Sequence, residues 1–195
     1  MRQLKLTADS GGGTVALKGP SSTASNAAIE LTLPGTSNAT LLTSASTTGK
    51  VLQFQSVKYD TYLSTSSTSY IDSGLTCNIQ PVATGSKIVI VGRIQLTKFN
   101  YTCVARLLRD STEIGSNSDS GTNTDLFTYY TNSYASLGVP FMMDDSPSYS
   151  LGDTLTYKLQ IKSDGGTATI YVNGHNNNTG SYYSVSYMSL MEVAA

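Results

Sequence analysis

The chain has 195 residues with 12 basic and 13 acidic side chains, and only 13% of its residues are charged, against about 25% in an average globular domain. No basic stripe marks a nucleic-acid footprint, and no apolar run reaches the roughly 20 residues that a membrane-inserted helix needs. Ser, Thr, Gly and Asn take the place of the missing charges and disfavour helix, while Thr, Val, Ile and 13 Tyr favour strands, so an all-β fold is expected.

Residues 1–50 contain no aromatic side chain. The start, MRQLKLTADSGGG, lacks the apolar core of a signal peptide, so synthesis in a cytoplasm without export by that route is expected. Short pieces then alternate apolar and polar positions through Leu4, Leu6, Val15, Leu17, Ile29, Leu31 and Leu33. Gly11-Gly12-Gly13, Gly19-Pro20 and Pro34-Gly35 punctuate them as turns. Too few large side chains are present for a core of its own. The segment is therefore expected to order by pairing with other copies or by lying on a partner, as an attachment or shaft arm.

From residue 51 the strands lengthen and gain Tyr and Phe. Strands are expected at 51–59, 74–81, 86–97, 99–110, 112–115, 125–130, 137–143, 153–162, 167–172 and 184–193. Asp164-Gly165 and Asn173-Gly174 suit tight hairpins, because both dipeptides tolerate positive φ. Strands at this spacing predict an antiparallel β-sandwich, jelly-roll-like, over 51–195. In 86–97, Ile88 and Ile90 face one way and Val89 and Val91 the other, so a strand covered on both faces is expected. In the last strand, Met188 and Leu190 oppose Tyr187 and Met191. A sandwich covers one face of each sheet, so the second cover is expected from another subunit, in a homotrimer.

Side chains of the reactive types do not assemble into a motif. The only His, His175, follows a turn and reads as an exposed loop residue, and no GxSxG elbow is present. Asp144-Asp145, with Asp153 nearby, reads as a loop before a strand, with a glycosidase pair or a cation site as the alternatives. The acidic stretch Asp110–Asp125 lacks calcium-loop spacing, and the Gly-rich pieces lack the GK[ST] of a phosphate loop. Cys77 and Cys103 form no metal motif and read as reduced, half-buried strand residues, with a disulfide as the alternative. No catalytic, cofactor-binding or metal-binding residue is expected. What remains is Tyr: Tyr129, Tyr130 and Tyr134 in LFTYYTNSYASLG, and Tyr182 and Tyr183 in GSYYSVSY, are the candidate receptor contacts.

The phrases LKLTADSGGGTVALKGP, IELTLPG and LLTSASTTGKVLQ resemble the N-terminal segments of tail-fibre and related virion proteins of phages, especially marine and cyanobacterial ones. VLQFQSVKYDTYLSTSSTSYIDSGLTCNIQPVATGSKIVIVGRI, RLLRDSTEIG and YMSLMEV are similar to the head that follows in such proteins. The resemblance implies a β-rich trimer whose head resembles those of complement and tumour-necrosis-factor proteins. It implies attachment to other virion proteins through residues 1–50, and a place on the tail or capsid surface after assembly in the host cytoplasm. A short tail fibre or receptor-binding adhesion protein touching host cell-surface glycan or protein is the expected function. A capsid decoration protein is the alternative, and a glycan depolymerase a minor one.

Overall fold

A computed structural model of the chain describes residues 3–7, 14–18, 49–98, 101–114, 126–131, 136–164, 168–175 and 184–195. The chain divides into two compact units, Met1–Leu42 and Thr43–Ala195. In the first, β1 (Gln3–Thr7) pairs antiparallel with β2 (Thr14–Lys18), with Leu4 opposite Leu17 and Leu6 opposite Val15. These are the alternating positions of the sequence, and a hairpin of this size is marginally stable by itself in water. The expected piece carrying Ile29, Leu31 and Leu33 lies outside the described residues.

The second unit holds β3 (Val51–Tyr59), β4 (Leu63–Thr65), β5 (Ile71–Ile79), β6 (Lys87–Thr97), β7 (Tyr101–Arg109) and β8 (Thr112–Ile114), then β9 (Phe127–Thr131), β10 (Ser136–Asp145), β11 (Leu155–Asp164), β12 (Ile170–Val172) and β13 (Ser186–Val193). No helix occurs among the described residues. The pairings are nested. The strand β3 pairs with β13, β5 with β11, β6 with β10 and β7 with β9, all antiparallel. The link from β13 to β6 completes one sheet, β3-β13-β6-β10, and the link from β11 to β7 completes the other, β5-β11-β7-β9. Outermost with outermost and inner with inner is the pairing of a jelly roll, with the short strands β4, β8 and β12 added at the margins.

Between the sheets the period-2 alternation sends one apolar set inward. Leu75, Ile79, Tyr157, Leu159, Ile161 and Leu107 from one sheet meet Ile88, Ile90, Ile94, Leu96, Phe141, Met188 and Leu190 from the other. Cys77 and Cys103 are buried in this core, more deeply than half-buried, and both are free thiols. Cys77 is level with Tyr157 and Arg109, whereas Cys103 is level with Ser163. Six residues of strand, about 20 Å, separate the two levels, which excludes a disulfide between them.

Four sequence expectations are corrected. The strand β5 begins at Ile71 rather than Gly74, because it passes through a bulge where Gly74 takes φ +89° and Ser73 Oγ donates to the Leu159 carbonyl at 2.7 Å. Asp144 and Asp145 end β10 rather than standing in the loop before the next strand. Asn173 has the expected positive φ, 56°, but its turn closes no hairpin, since β12 and β13 both run along β6 instead of pairing with each other. His175 is half-buried, not exposed.

Candidate functional site

The outer face of the first sheet is built from the residues that alternate with its core set. On β13, Met188, Leu190 and Glu192 point inward and Tyr187, Ser189 and Met191 outward. The ladder aligns these with their neighbours in rows across four strands. One row reads Phe54, Met191, Val89, Asp144; the next Ser56, Ser189, Val91, Met142; the third Lys58, Tyr187, Arg93, Pro140. All four strands thus place apolar side chains on this face, around the serines Ser56 and Ser189, and water reaches them: Met142 is 74% exposed, Phe54 57%, Tyr187 42% and Val91 38%. Isolated exposed apolar residues are ordinary, but a contiguous set across a sheet marks an interaction surface. Val89 is half-buried, so the second cover expected for β6 is incomplete within the subunit.

Charges stand at the ends of the patch. Asp144 lies beside Lys87 at 3.7 Å, and Lys58 holds Asp60 at 2.9 Å. Arg93 donates to the Val185 carbonyl at 3.4 Å and has no carboxylate within ion-pair distance among the described residues. Pro140 sits in the edge strand β10, where the absence of an N–H discourages strand addition.

The outer face of the second sheet has the opposite character. Lys158 pairs with Asp72 at 3.0 Å, and Gln160 Nε2 donates to the same carboxylate at 2.6 Å. Arg106 donates to Gln160 at 2.9 Å and to Glu113 at 3.0 Å, and its guanidinium lies 4.1 Å from the Tyr70 ring centre, with Lys162 Nζ at 4.6 Å.

The expected Tyr contacts separate. Tyr130 is exposed at 63%, but Tyr129 is core, 7% exposed and paired opposite Cys103. Strand alternation forces this split on adjacent residues, so Tyr129 is corrected from a surface contact to a packing residue. Tyr134, Tyr182 and Tyr183 lie outside the described residues. The same alternation parts Asp144 from Asp145. Asp145 accepts Arg109 Nη1 at 2.7 and 2.6 Å and the Tyr157 hydroxyl at 2.8 Å, tying β10 to β7 and β11. Asp153 accepts the Ser150 N–H at 2.8 Å. Among the described residues no group of three His, Cys, Asp or Glu is arranged to hold a metal ion.

Buried polar groups absent from the sequence reading prove to be struts. Lys98 is fully buried and donates to Ser163 Oγ at 2.6 Å and to the Thr102 carbonyl at 3.0 Å. Burial lowers the pKa of its ammonium and pushes the Cys103 thiol up to about 12. An amine beside a hydroxyl resembles a nucleophile and its base, but both side chains are enclosed, so a substrate has no approach. Glu192, also fully buried, accepts the N–H groups of Val82 and Ala83 at 3.0 Å and Gln53 Nε2 at 2.7 Å. Burial by itself raises a carboxyl pKa; the bonds from Gln53, Val82, Ser86 and Ala83 overcome that and hold Glu192 below the ordinary range. Asn173 donates to the carbonyls of Tyr59 and Thr61 and accepts the Ser186 hydroxyl. The sequence does carry a signal for Glu192, since it is the charged residue in the inward phase of β13, two residues on from Leu190.

The pairings and the two unlike faces define a class: an antiparallel jelly-roll sandwich with one outer face rich in paired charges and one that exposes apolar side chains on four strands. No family model matches the chain, and no curated protein sequence matches it. Among solved structures, it is similar to Eiger TNF from S. frugiperda, with a TM-score of 0.37 and 12% identity over 74% of this chain and 94% of that one. It is also similar to a chain of infectious bursal disease virus, Gx strain, with a TM-score of 0.27 and 13% identity over 74% of this chain and 38% of that one. The jelly-roll assignment rests on the strand pairings above.

Proposed function

We propose that the chain is a non-enzymatic structural protein of a phage particle, a short tail fibre or receptor-binding head that works as a homotrimer, with residues 1–50 as its attachment element. The observation that carries this reading is the four-strand apolar face of Phe54, Val91, Met142 and Tyr187, which a protein acting alone has no reason to present to water. The resemblance of its sequence phrases to phage tail-fibre and related virion proteins supports the setting. The chain's end supports the architecture: Ala194 exchanges hydrogen bonds with Gly49 and Lys50 at 3.2 and 2.9 Å, so the strand that follows the N-terminal segment starts beside the last strand. Copies associated through this sheet bring three such starting points together. Recognition then falls to exposed rings such as Tyr130.

Immunogold labelling of purified particles with antibody to this chain tests the proposal. Label at the tail is expected. Label spread over the shell would replace the fibre by a decoration protein, and unlabelled particles would remove the virion reading altogether.

A further inference from the structure

We infer that the outer face of the β3-β13-β6-β10 sheet is covered by further copies of the same chain, with Arg93 of one copy paired to Asp144 of the next. This rests on the self-association reading and names the contact that fixes its register.

The two residues cannot meet within one subunit. Asp144 is level with Val89, and Arg93 lies four residues further along β6, about 13 Å away. Between them lie the exposed Val91 and Met142, and Tyr187 stands beside Arg93 in the same row. Both charges are underused. Arg93 has one long hydrogen bond to a carbonyl and no acid among the described residues, and Asp144 has Lys87 at 3.7 Å with its side chain 69% exposed. Lys58, at the Arg93 end, is already held by Asp60 at 2.9 Å.

Charge complementarity selects the occupant. The face has an exposed carboxylate, loosely held by Lys87, at one end and a spare guanidinium at the other, with Val91 and Met142 between. A strongly acidic or strongly basic partner meets repulsion at one end, whereas a rotated copy sets Asp144 against Arg93 at the rim and apolar on apolar at the centre. Guanidinium to carboxylate is the pairing that holds direction at the rim of such a contact.

The test uses the full chain. Self-association of the wild type, Arg93→Asp, Asp144→Arg and the double variant R93D/D144R is measured by sedimentation over a concentration series, with circular dichroism as the check of fold. Each single reversal is expected to raise the dissociation constant about tenfold or more, and the double variant to recover most of the loss. Where a reversal disturbs folding, Arg93→Gln and Asp144→Asn carry the test, each weakening association. A wild type that stays monomeric at high concentration overturns both this inference and the self-association reading. An oligomer indifferent to the reversals, or one the double variant does not rescue, overturns the Arg93–Asp144 pair alone.

Discussion

On the outer face of β5-β11-β7, Lys158 meets Asp72, Arg106 meets Glu113 and Gln160, and Tyr70 lies beneath two cations. On the outer face of β3-β13-β6-β10, the corresponding positions are Phe54, Val91, Met142 and Tyr187, flanked by the spare cation Arg93. Both sheets bury the same kind of residue toward the core, so the sandwich itself does not require this difference. Over β5, β11 and β7 the second sheet pairs its outer charges among its own side chains, while Tyr130 on β9 stays exposed. The first leaves apolar area in water, at roughly 25 cal/mol for each Å² that a partner could cover. The proposed self-association rests on this difference.

The comparison breaks most sharply on β13, where inward and outward residues adjoin. Leu190→Ala should lower unfolding stability by about 2–5 kcal/mol, because it opens a cavity between the sheets. Met191→Ser, one residue on, should cost the dissociated subunit under about 1 kcal/mol while weakening association. Chemical denaturation followed at two protein concentrations separates the two effects. Equal losses from both variants would erase the distinction between the faces.

A smaller effect is expected at Glu192, the charged residue in the inward phase of β13. Glu192→Gln should cost about 1–3 kcal/mol, since the N–H groups of Val82 and Ala83 lose a charged acceptor. Its folded pKa is depressed, so its contribution is complete above the ordinary value of 4.5 and is lost as pH falls through the lower folded value. Urea unfolding from pH 6 to pH 3 should show a drop that the Gln variant lacks. A parallel decline in both proteins would assign the acid sensitivity elsewhere.

The smallest effect belongs to the face of paired charges. Asp72, whose pKa is lowered by the Gln160 bond and then by Lys158, is partly exposed, and Asp72→Asn should cost less than about 1 kcal/mol, shrinking further in salt. Thermal unfolding at low and high ionic strength reads this directly. A loss above 2 kcal/mol would mean that this face carries more of the fold than its exposure allows.

Much of this difference was legible in the alternation of single strands. The opposition of Met188 and Leu190 to Tyr187 and Met191, and of Ile88 and Ile90 to Val89 and Val91, follows from a period of 2 and needs no tertiary information. What alternation could not supply was the neighbour. Phe54, Val91 and Met142 belong to strands far apart in sequence, and only the register of β3, β13, β6 and β10 sets them in one patch. The same limit explains Tyr129: in a Tyr-Tyr pair one ring must point inward, and which one depends on the pairing of β9 with β7. Lys98 was invisible for a similar reason, since its partners Ser163 and Thr102 come from two other strands.

The most direct measurement is sedimentation equilibrium of the full chain beside Met142→Asp, a charge placed at the most exposed apolar point of the first sheet's outer face. The wild type should sediment at three times the 20.6 kDa subunit mass and the variant toward one subunit, with unchanged circular dichroism. A wild type at the subunit mass across the concentration range, or a variant that associates as well as the wild type, would contradict the assignment of this face to self-association.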